Sequence, residues 1–166
     1  MLSTDSMDEA QFHASLRMLR RQAMLHSIFR DINGLATLDE IVTTISTLAE
    51  VTVRAALDFH TLATISRFAI TGDVARGAPV ALMIVAMGKL GGMELNVSSD
   101  IDLIFVHALD GDVTKDRSWH EFHCELGKRI IRALDRVDEN GFVFRVDMRL
   151  RPFGVSGPLV TSLAAL

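Results

Sequence analysis

The sequence has one cysteine and no apolar run long enough to cross a bilayer, and these two absences exclude several protein classes. The single Cys124 cannot form an internal disulfide, which argues against a disulfide-stabilised secreted fold. The longest apolar stretch, beginning near Val80, is far shorter than the roughly 20 residues of a transmembrane helix. The start, MLSTDSMDEAQ, also lacks the basic and apolar segments of a signal peptide. We therefore expect a cytoplasmic protein with no membrane partner.

Positive charge is also scarce. The chain has 17 Lys and Arg against 21 Asp and Glu, for a formal net charge of −4. This balance argues against strong non-specific binding to nucleic acid, and the sequence has no strip of interleaved aromatic and basic residues. A local basic patch remains possible, but we expect no nucleic-acid partner.

Several familiar functional signatures are missing as well. There is no G-x-G-x-x-G, no G-x-x-x-x-G-K followed by Ser or Thr, and no Ser/His/Asp hydrolase elbow. The chain also has no internal repeat and no low-complexity segment. The composition, 49% apolar and 23% charged, is instead that of a folded globular protein, and 166 residues suffice for one core with a helical extension.

The first part of the chain has helical periodicity. Apolar residues at three- and four-residue steps predict a helix from about Met7 to Asp31, closed by Asn33-Gly34. The stripe consists of Phe12, Leu16, Leu19 and Ala23. Thr37 to Glu40 reads as a capping box that opens a second helix running toward Ile70, with a possible break near residues 58–60. Four arginines fall mostly off the first stripe and are expected on a solvated basic face, with an anion-binding face as the alternative: Arg17, Arg20, Arg21 and Arg30.

The second part alternates strand and helix patterns. The turn-rich Thr71–Pro79 marks the boundary, so we expect a helical N-terminal extension at 1–75 and a catalytic core at 76–166. Val80–Ala86 reads as an interior strand covered on both faces, and Asp110–Lys115 as a surface loop. The other elements predicted are a helical turn at 93–96, a strand after Asp100, a helix at 119–137 and a strand at 142–150. This order predicts an α/β fold with a helical N-terminal extension.

Three carboxylates carry the strongest chemical signal. In a strand Asp100 and Asp102 share a face, so two negative charges project side by side, which is costly unless a cation lies between them. Asp147 lies on the charged face of the 142–150 strand and could complete a two-metal Mg²⁺ site for displacement at phosphorus. The alternative is three surface aspartates at strand ends.

Glycines and arginines flank these carboxylates. Gly88, Gly91 and Gly92 follow a strand and are either a tight turn or, together with Ser99, an approach for phosphate. The arginines around Asp147 could neutralise phosphate, or could instead pair with carboxylates on the same face: Arg145, Arg149 and Arg151.

Histidines and the cysteine cluster in the predicted helix at 119–137. His120, His123 and Cys124 have helical spacing, with His107 nearby, but they make an incomplete zinc set. His123 lies on the apolar stripe and is expected to be a core histidine.

Two motifs resemble one known family. MGKLGGMELNVSSDIDLIFV looks like the signature of the bacterial glutamine synthetase adenylyltransferase/adenylyl-removing enzyme family, in the DNA polymerase β-like nucleotidyltransferase superfamily. GFVFRVDMRLRPFGVSGPLVTS resembles the family's third-carboxylate strand and the loop after it, and LRRQAMLHSIFRDINGLATLDEIVTTISTLAE resembles its helical lead-in. The resemblance covers nearly the whole chain.

The resemblance implies an activity. Such enzymes regulate nitrogen metabolism with two catalytic halves: one removes AMP from a tyrosine of glutamine synthetase by phosphorolysis, giving ADP, and the other attaches AMP from ATP. RVDMRLRPFG followed by SGPLV looks more like the N-terminal, deadenylylating half. Alternatives are the ATP-dependent adenylylating half, a non-catalytic binding fragment, and a nucleotidyltransferase directed at nucleic acid.

The resemblance also assigns residues. Asp100, Asp102 and Asp147 would bind Mg²⁺ and carry catalysis, and five residues would face nucleotide or phosphate: Gly91, Gly92, Ser99, Arg149 and Arg151. Lys89 matches a family position whose role does not follow from the residues. The family enzyme is several times longer, so we expect a catalytic core truncated at its C-terminus. Glutamine synthetase would be the protein substrate, and the PII signal protein would bind mostly to regions absent from this chain.

Overall fold

Two long antiparallel helices form the first part of the chain in the computed structural model, which describes residues 7–72 and 82–166. Helix α1 spans Glu9–Ile32 and begins at a capping box, in which Asp8 accepts from the Gln11 amide. It ends at Asn33 and Gly34, whose φ of +64° is the left-handed conformation expected after a helix C-terminus. The predicted end of this helix is confirmed.

Helix α2 is one uninterrupted element, Leu38–Arg67, so the possible break at residues 58–60 is wrong. Phe59 and His60 continue the helix because they pack inward against α1, where the Phe59 ring stacks on Phe12 at a centroid distance of 4.1 Å. Thr37 caps the helix by accepting from the Glu40 amide, as predicted. The Glu40 carboxylate, however, binds the Arg30 guanidinium, so only the threonine half of the predicted capping box was right.

Arg17 corrects the prediction of a solvated basic face on α1. Its side chain is only 2% exposed and donates from Nε to the Gly141 carbonyl at 2.9 Å and from Nη2 to the Arg136 carbonyl at 2.7 Å. Asp138 lies 3.3 Å from the same Nε. Arg17 thereby ties α1 to a turn more than a hundred residues away in sequence.

A mixed sheet forms the second part and confirms the predicted α/β class. Strand β1, Leu82–Met87, leads into the short helix α3, Gly88–Gly91, and strand β2, Ile101–His107. A hairpin of β3, Asp112–Thr114, and β4, Arg117–Ser118, precedes helix α4, Trp119–Asp135. The last strands are β5, Val146–Asp147, and β6, Val160–Ser162.

Strand β2 is central in this sheet. It pairs antiparallel with β1 on one side and parallel with β5 and then β6 on the other. Ile101, Leu103 and Phe105 are buried on the helix-covered face of β2, as the alternation predicts. Among the described residues β1 pairs with no other strand, and Met83 is 53% exposed. The prediction of an interior strand buried on both faces is therefore wrong for residues 82–86, while Val80 lies outside the described ranges.

Helix α4 covers the sheet with the predicted stripe of Trp119, Phe122, Leu126, Ile130 and Leu134. Gly127 lets it approach closely, because a Cβ there would lie 3.0 Å from the Phe105 ring. The stripe stops before Val137, which is 70% exposed because the helix ends at Asp135. The buried apolar residues of α1, α2, α4 and the sheet form one cluster. The expected boundary near residue 75 lies outside the described ranges, so the proposed division into two parts stays a prediction.

Two local predictions need correction. The expected surface loop at Asp110–Lys115 contains β3, one arm of a hairpin. The expected strand at 142–150 is reduced to β5, because Val143 and Phe144 both donate their amides to the Leu134 carbonyl and are both buried. This segment covers the end of α4 instead of alternating between two faces. None of the helices in the described ranges has the length and apolar character to cross a membrane.

His123 is the predicted core histidine, and it should make stability depend on pH. It is fully buried, and its Nδ1–H donates to the Trp119 carbonyl at 2.8 Å. Burial, and secondarily the neighbouring His107, lowers the pKa of His123 to about 4. An unfolded histidine binds its proton near pH 6.5, so the stabilisation is present above that pH and is lost as the pH falls toward 4.

We expect His123→Phe to make unfolding less sensitive to acid. The loss of unfolding free energy between pH 7 and pH 4.5 should be smaller than in the parent chain by about 2 kcal/mol. Urea unfolding of both chains across this pH range measures the difference. His26→Gln, at an exposed position on α1, controls for the loss of one histidine. Equal pH dependence in the parent and His123→Phe chains would contradict this expectation.

Candidate active site

The register of the sheet places two of the predicted carboxylates side by side. Asp102 on β2 is the direct parallel partner of Asp147 on β5, so their side chains leave the same face of the sheet. Asp100 immediately precedes β2 and lies two positions from Asp102, on the same side of the chain. This is the face opposite Ile101 and Leu103, which are buried under the helices. The structure therefore brings Asp100, Asp102 and Asp147 together at one edge of the open face.

Guanidinium groups partner two of these carboxylates. Arg145 donates to the Asp100 carboxylate and also to the Ser98 carbonyl, at 2.7 Å. Arg149 forms a fork on Asp147, with Nε 2.8 Å and Nη2 2.5 Å from Oδ2, and its amide donates to Oδ1 at 2.8 Å. These hydrogen bonds from Arg149 lower the pKa of Asp147, and the same pairing raises the pKa of Arg149. For Arg145 and Arg149, the structure shows pairing with the carboxylates.

Arg151 differs from its neighbours. It donates to the Met148 carbonyl at 2.7 Å and to the Val155 carbonyl at 3.3 Å, and so it holds the loop after β5 in shape. Gly157 closes the same loop, because a Cβ there would lie 2.2 Å from the Pro152 carbonyl oxygen. The guanidinium of Arg151 therefore donates hydrogen bonds to loop carbonyls, whereas those of Arg145 and Arg149 donate to carboxylates.

The glycine segment forms helix α3 directly after β1, and the helical turn expected at Met93–Asn96 is wrong, since those residues follow the helix. Gly88 is the glycine that contacts the carboxylates: its φ is +55°, and a Cβ would lie 2.6 Å from Oδ2 of Asp102. Gly91 has a packing role instead, because a Cβ there would lie 2.7 Å from the Ala86 carbonyl. At Gly92 a Cβ would meet nothing closer than 3.7 Å.

The loop between α3 and β2 is organised by Asn96. Its side-chain oxygen accepts from the Ser98 amide at 3.1 Å and from the Ser99 hydroxyl at 2.8 Å. Lys89 lies 3.4 Å from the same Ser99 hydroxyl. Leu95 is buried, and its amide donates to the Ser46 hydroxyl of α2 at 3.1 Å. The helical part of the chain thus anchors the loop that leads into Asp100.

Gly88 and Asn96 are site residues to which the sequence prediction gave no individual role. An Asn followed two residues later by Ser is a turn signal, because the Asn side chain can accept from that backbone amide. The Asn96–Ser98 pattern lies just N-terminal to Asp100 and could have been recognised from the sequence. The contact of Gly88 with Asp102 had no such local signal, because it depends on the antiparallel pairing of Met87 with Asp102.

Replacing Gly88 by alanine should displace the Asp102 carboxylate as well as strain the backbone. We expect a loss of about 1–2 kcal/mol in unfolding free energy from the left-handed φ, together with weaker binding of divalent cations. Gly34→Ala is the matched control, because Gly34 has a φ of +64° and open space around it. Equal effects of the two changes on Mn²⁺ affinity, measured calorimetrically, would show that the contact with Asp102 is unimportant.

The carboxylate cluster has the ligand type that a hard divalent cation prefers. Carboxylate oxygens are the ligands that Mg²⁺ prefers, and Asp102 and Asp147 leave the same face side by side, with Asp100 two positions before Asp102. Two of them already hold a guanidinium, which shows that this group of acids attracts positive charge. In side-chain exposure Asp147 is at 15% and Asp100 at 47%, so both shielded and accessible oxygens are available.

The histidines near α4 do not converge on one point. His120 uses Nδ1 toward His107, at 3.4 Å, and Nε2 toward Cys124, at 3.5 Å, so its two nitrogens face different partners. His123 donates to the Trp119 carbonyl instead. This confirms the core assignment of His123 and gives no common metal position among these four residues.

Comparisons with known proteins show the family. The family of glutamate-ammonia ligase adenylyltransferases, GlnE, matches residues 2–166. A protein of Aromatoleum aromaticum named bifunctional glutamine synthetase adenylyltransferase/adenylyl-removing enzyme is 48% identical over 99% of this chain, and one of the same name from Chromobacterium violaceum is 50% identical over 92%. A third, from Nitrosomonas europaea, is 48% identical over 96%. The chain spans 17–18% of the length of these three relatives. With a family match over nearly its full length, the chain belongs to the glutamate-ammonia ligase adenylyltransferase family.

Proposed function

We propose that this chain is the nucleotidyltransferase core that removes AMP from adenylylated glutamine synthetase by Mg²⁺-dependent phosphorolysis, releasing ADP. The observation that carries the proposal is the pairing of Asp102 with Asp147 in the sheet, with Asp100 beside them. The names of the relatives include both adenylyl transfer and adenylyl removal. Family membership supports nucleotidyltransferase chemistry on glutamine synthetase in general, and the deadenylylating direction is our further step.

The three carboxylates would hold the metal in this reaction. Asp100, Asp102 and Asp147 are the ligands proposed, and a Mg²⁺ ion bound there would neutralise phosphate oxygens and stabilise charge in the transition state. Ser99, held by Asn96, and Lys89 lie beside Asp100 and would face the phosphate group. Gly88 keeps Asp102 accessible because it has no side chain to cover the carboxylate.

The two arginines after Asp147 would have different roles toward phosphate. Arg149 is largely exposed, so its guanidinium is free to exchange the Asp147 oxygens for those of inorganic phosphate or of the adenylyl group. Arg151 is held by two loop carbonyls and would position that loop beside the substrate. Gly91 and Gly92 would let the phosphate approach the backbone of α3 and the residue after it.

The direction of transfer rests on the segment after Asp147. RVDMRLRPFG followed by SGPLV favours the deadenylylating half over the half that consumes ATP. We further propose that the protein acts in the cytoplasm in the control of nitrogen assimilation. Glutamine synthetase would be its protein substrate, and PII would bind elsewhere in a longer protein.

Two parallel assays test the proposal with the 166-residue chain. In the first, adenylylated glutamine synthetase, phosphate and Mg²⁺ should yield ADP and unmodified synthetase. In the second, unmodified synthetase, ATP and Mg²⁺ should yield little pyrophosphate. Pyrophosphate release without phosphorolysis would instead assign the chain to the adenylylating half. Absence of turnover in both assays, with Mg²⁺ binding retained, would make the chain a binding fragment and overturn the catalytic proposal.

A further inference from the structure

A second group of metal-ligating side chains lies between α1 and α2. Glu9 and His13 are one turn apart on α1, so they share a face of that helix. His60 projects from the middle of α2 and is fully buried. One donor atom from each of these three side chains lies within 4.8 Å of the other two. None of them belongs to the carboxylate cluster, which is built on β2 and β5.

The separation of the two imidazoles suits a shared ion. His13 Nε2 and His60 Nε2 are 3.2 Å apart. In a tetrahedral zinc site with Zn–N bonds of about 2.0–2.1 Å, two ligand nitrogens lie roughly 3.3–3.4 Å apart. The observed distance therefore equals, within a few tenths of an ångström, the edge of a zinc coordination polyhedron. A hydrogen bond between the two imidazole rings also has this length. Such a bond would explain the contact of His13 with His60, but it would not involve the nearby Glu9.

The surroundings favour neutral imidazole rings. Phe12 and Phe59 pack around His60, with ring centroids 5.9 and 5.2 Å from it, so water has little access to its Nε2. Neutral imidazole nitrogen is a good ligand for zinc and other transition metals and a poor one for Mg²⁺. Glu9 supplies the negative charge. One of its oxygens accepts from Arg129 at 3.2 Å, which orients the carboxylate from outside, as second-shell partners do.

We propose that Glu9, His13 and His60 bind one zinc-like divalent metal ion, with the fourth position open to water, and that this ion ties α1 to α2. The site needs no residue of the carboxylate cluster and is selective against Mg²⁺ by its nitrogen ligands. Because α2 also anchors the loop before Asp100 through Ser46, occupancy would stabilise the helices that support the carboxylate cluster. The proposal is independent of the direction of adenylyl transfer.

Calorimetric titration of the metal-free chain with Zn²⁺ in excess Mg²⁺ tests this site. We expect one equivalent of Zn²⁺ to bind and the thermal midpoint to rise with zinc concentration. His13→Gln, at a half-buried position that should still fold, is expected to weaken zinc binding by at least about tenfold to a hundredfold, the range known for loss of an outer-shell partner. Glu9→Gln should act in the same direction. Substitution of Co²⁺ for zinc should give the visible absorption of a four-coordinate site, and His13→Gln should remove it.

Two variants control for other clusters. His120→Gln changes the histidine nearest Cys124, and Asp102→Asn changes the carboxylate cluster; both should leave the zinc affinity as in the parent chain. Absence of stoichiometric zinc binding to the parent chain would overturn the proposal. So would a parental zinc affinity in His13→Gln, whether or not either control loses binding, because the ion would then lie elsewhere.

Discussion

Asp102→Asn should lower the rate of the proposed AMP removal by about a thousandfold or more while leaving the chain folded. Asp102 is the direct partner of Asp147 and lies against Gly88, so its carboxylate is at the centre of the cluster. Removing one charge from a metal site forfeits several kcal/mol of transition-state stabilisation, and each 1.4 kcal/mol is about a factor of ten in rate. The amide is nearly isosteric with the acid, so the sheet register should survive the change.

Both turnover and metal affinity check this expectation. ADP release should fall with Asp102→Asn, and Mn²⁺ affinity, measured by calorimetry, should fall with it. Asp116→Asn, at an exposed position in the hairpin between β3 and β4, is the matched control and should change neither quantity. A variant with parental turnover and Mn²⁺ affinity would remove Asp102 from the site.

Arg17→Met should destabilise the fold by about 2–3 kcal/mol. Methionine matches the length of the buried part of arginine but donates no hydrogen bond. The change would remove the donor that now lies within 2.9 Å of the Arg136 and Gly141 carbonyls, although the Gly141 carbonyl would keep the Asp138 amide at 3.1 Å. A hydrogen bond from a charged donor contributes about 1.5–3 kcal/mol, and relief of the buried charge of Arg17 offsets part of the total. The expected net loss is therefore large for a single residue but short of complete unfolding.

Urea unfolding of the parent and variant chains measures this effect. Arg21→Met, on an exposed position of the same helix, should change the unfolding free energy by less than about 0.5 kcal/mol. If the two substitutions cost the same, the hydrogen bonds of Arg17 to the distant turn contribute nothing net.

The two arginines also show why the sequence prediction of α1 was only half right. Periodicity identified Phe12 and Leu16, both buried, because these lie on the face of the helix that packs on α2, but it also included Leu19, which is 42% exposed. It placed Arg17 in solvent because charged residues are seldom buried without partners. The partners exist, but they are backbone carbonyls of a turn near Gly141. No local sequence pattern predicts a contact between residues 124 positions apart.

The strands illustrate the same limit. The apolar run before Gly88 predicted a strand, and a strand is present, but the run did not show that β1 lies at the edge of the described sheet. An interior strand and an edge strand can have the same apolar residues. They differ in which strands and helices lie beside them, and a short sequence does not show this. The 142–150 segment alternates in sequence, yet only Val146–Asp147 pairs as a strand, since Val143 and Phe144 are both drawn onto the end of α4.

For the candidate site, the three aspartates followed from residue type and alternation, and the structure places Asp102 beside Asp147 with Asp100 just before β2. Their role as metal ligands stays a prediction. The roles of Gly91, Gly92, Ser99, Arg149 and Arg151 stay predictions. The importance of Gly88 over its neighbouring glycines needed the structure, because it arises where Met87 pairs with Asp102.

By itself the sequence determined the three long helices, the end of α1, the Thr37 cap of α2 and which residues carry charge at the start of β2, because capping and alternation act over a few residues. Only the tertiary structure decided that Asp147 lies beside Asp102, that Arg17 is buried and that His13 meets His60. These pairs are separated by more than forty residues. Such contacts depend on how helices and strands pack, which is set by the summed burial of the whole core and not by any short stretch of chain.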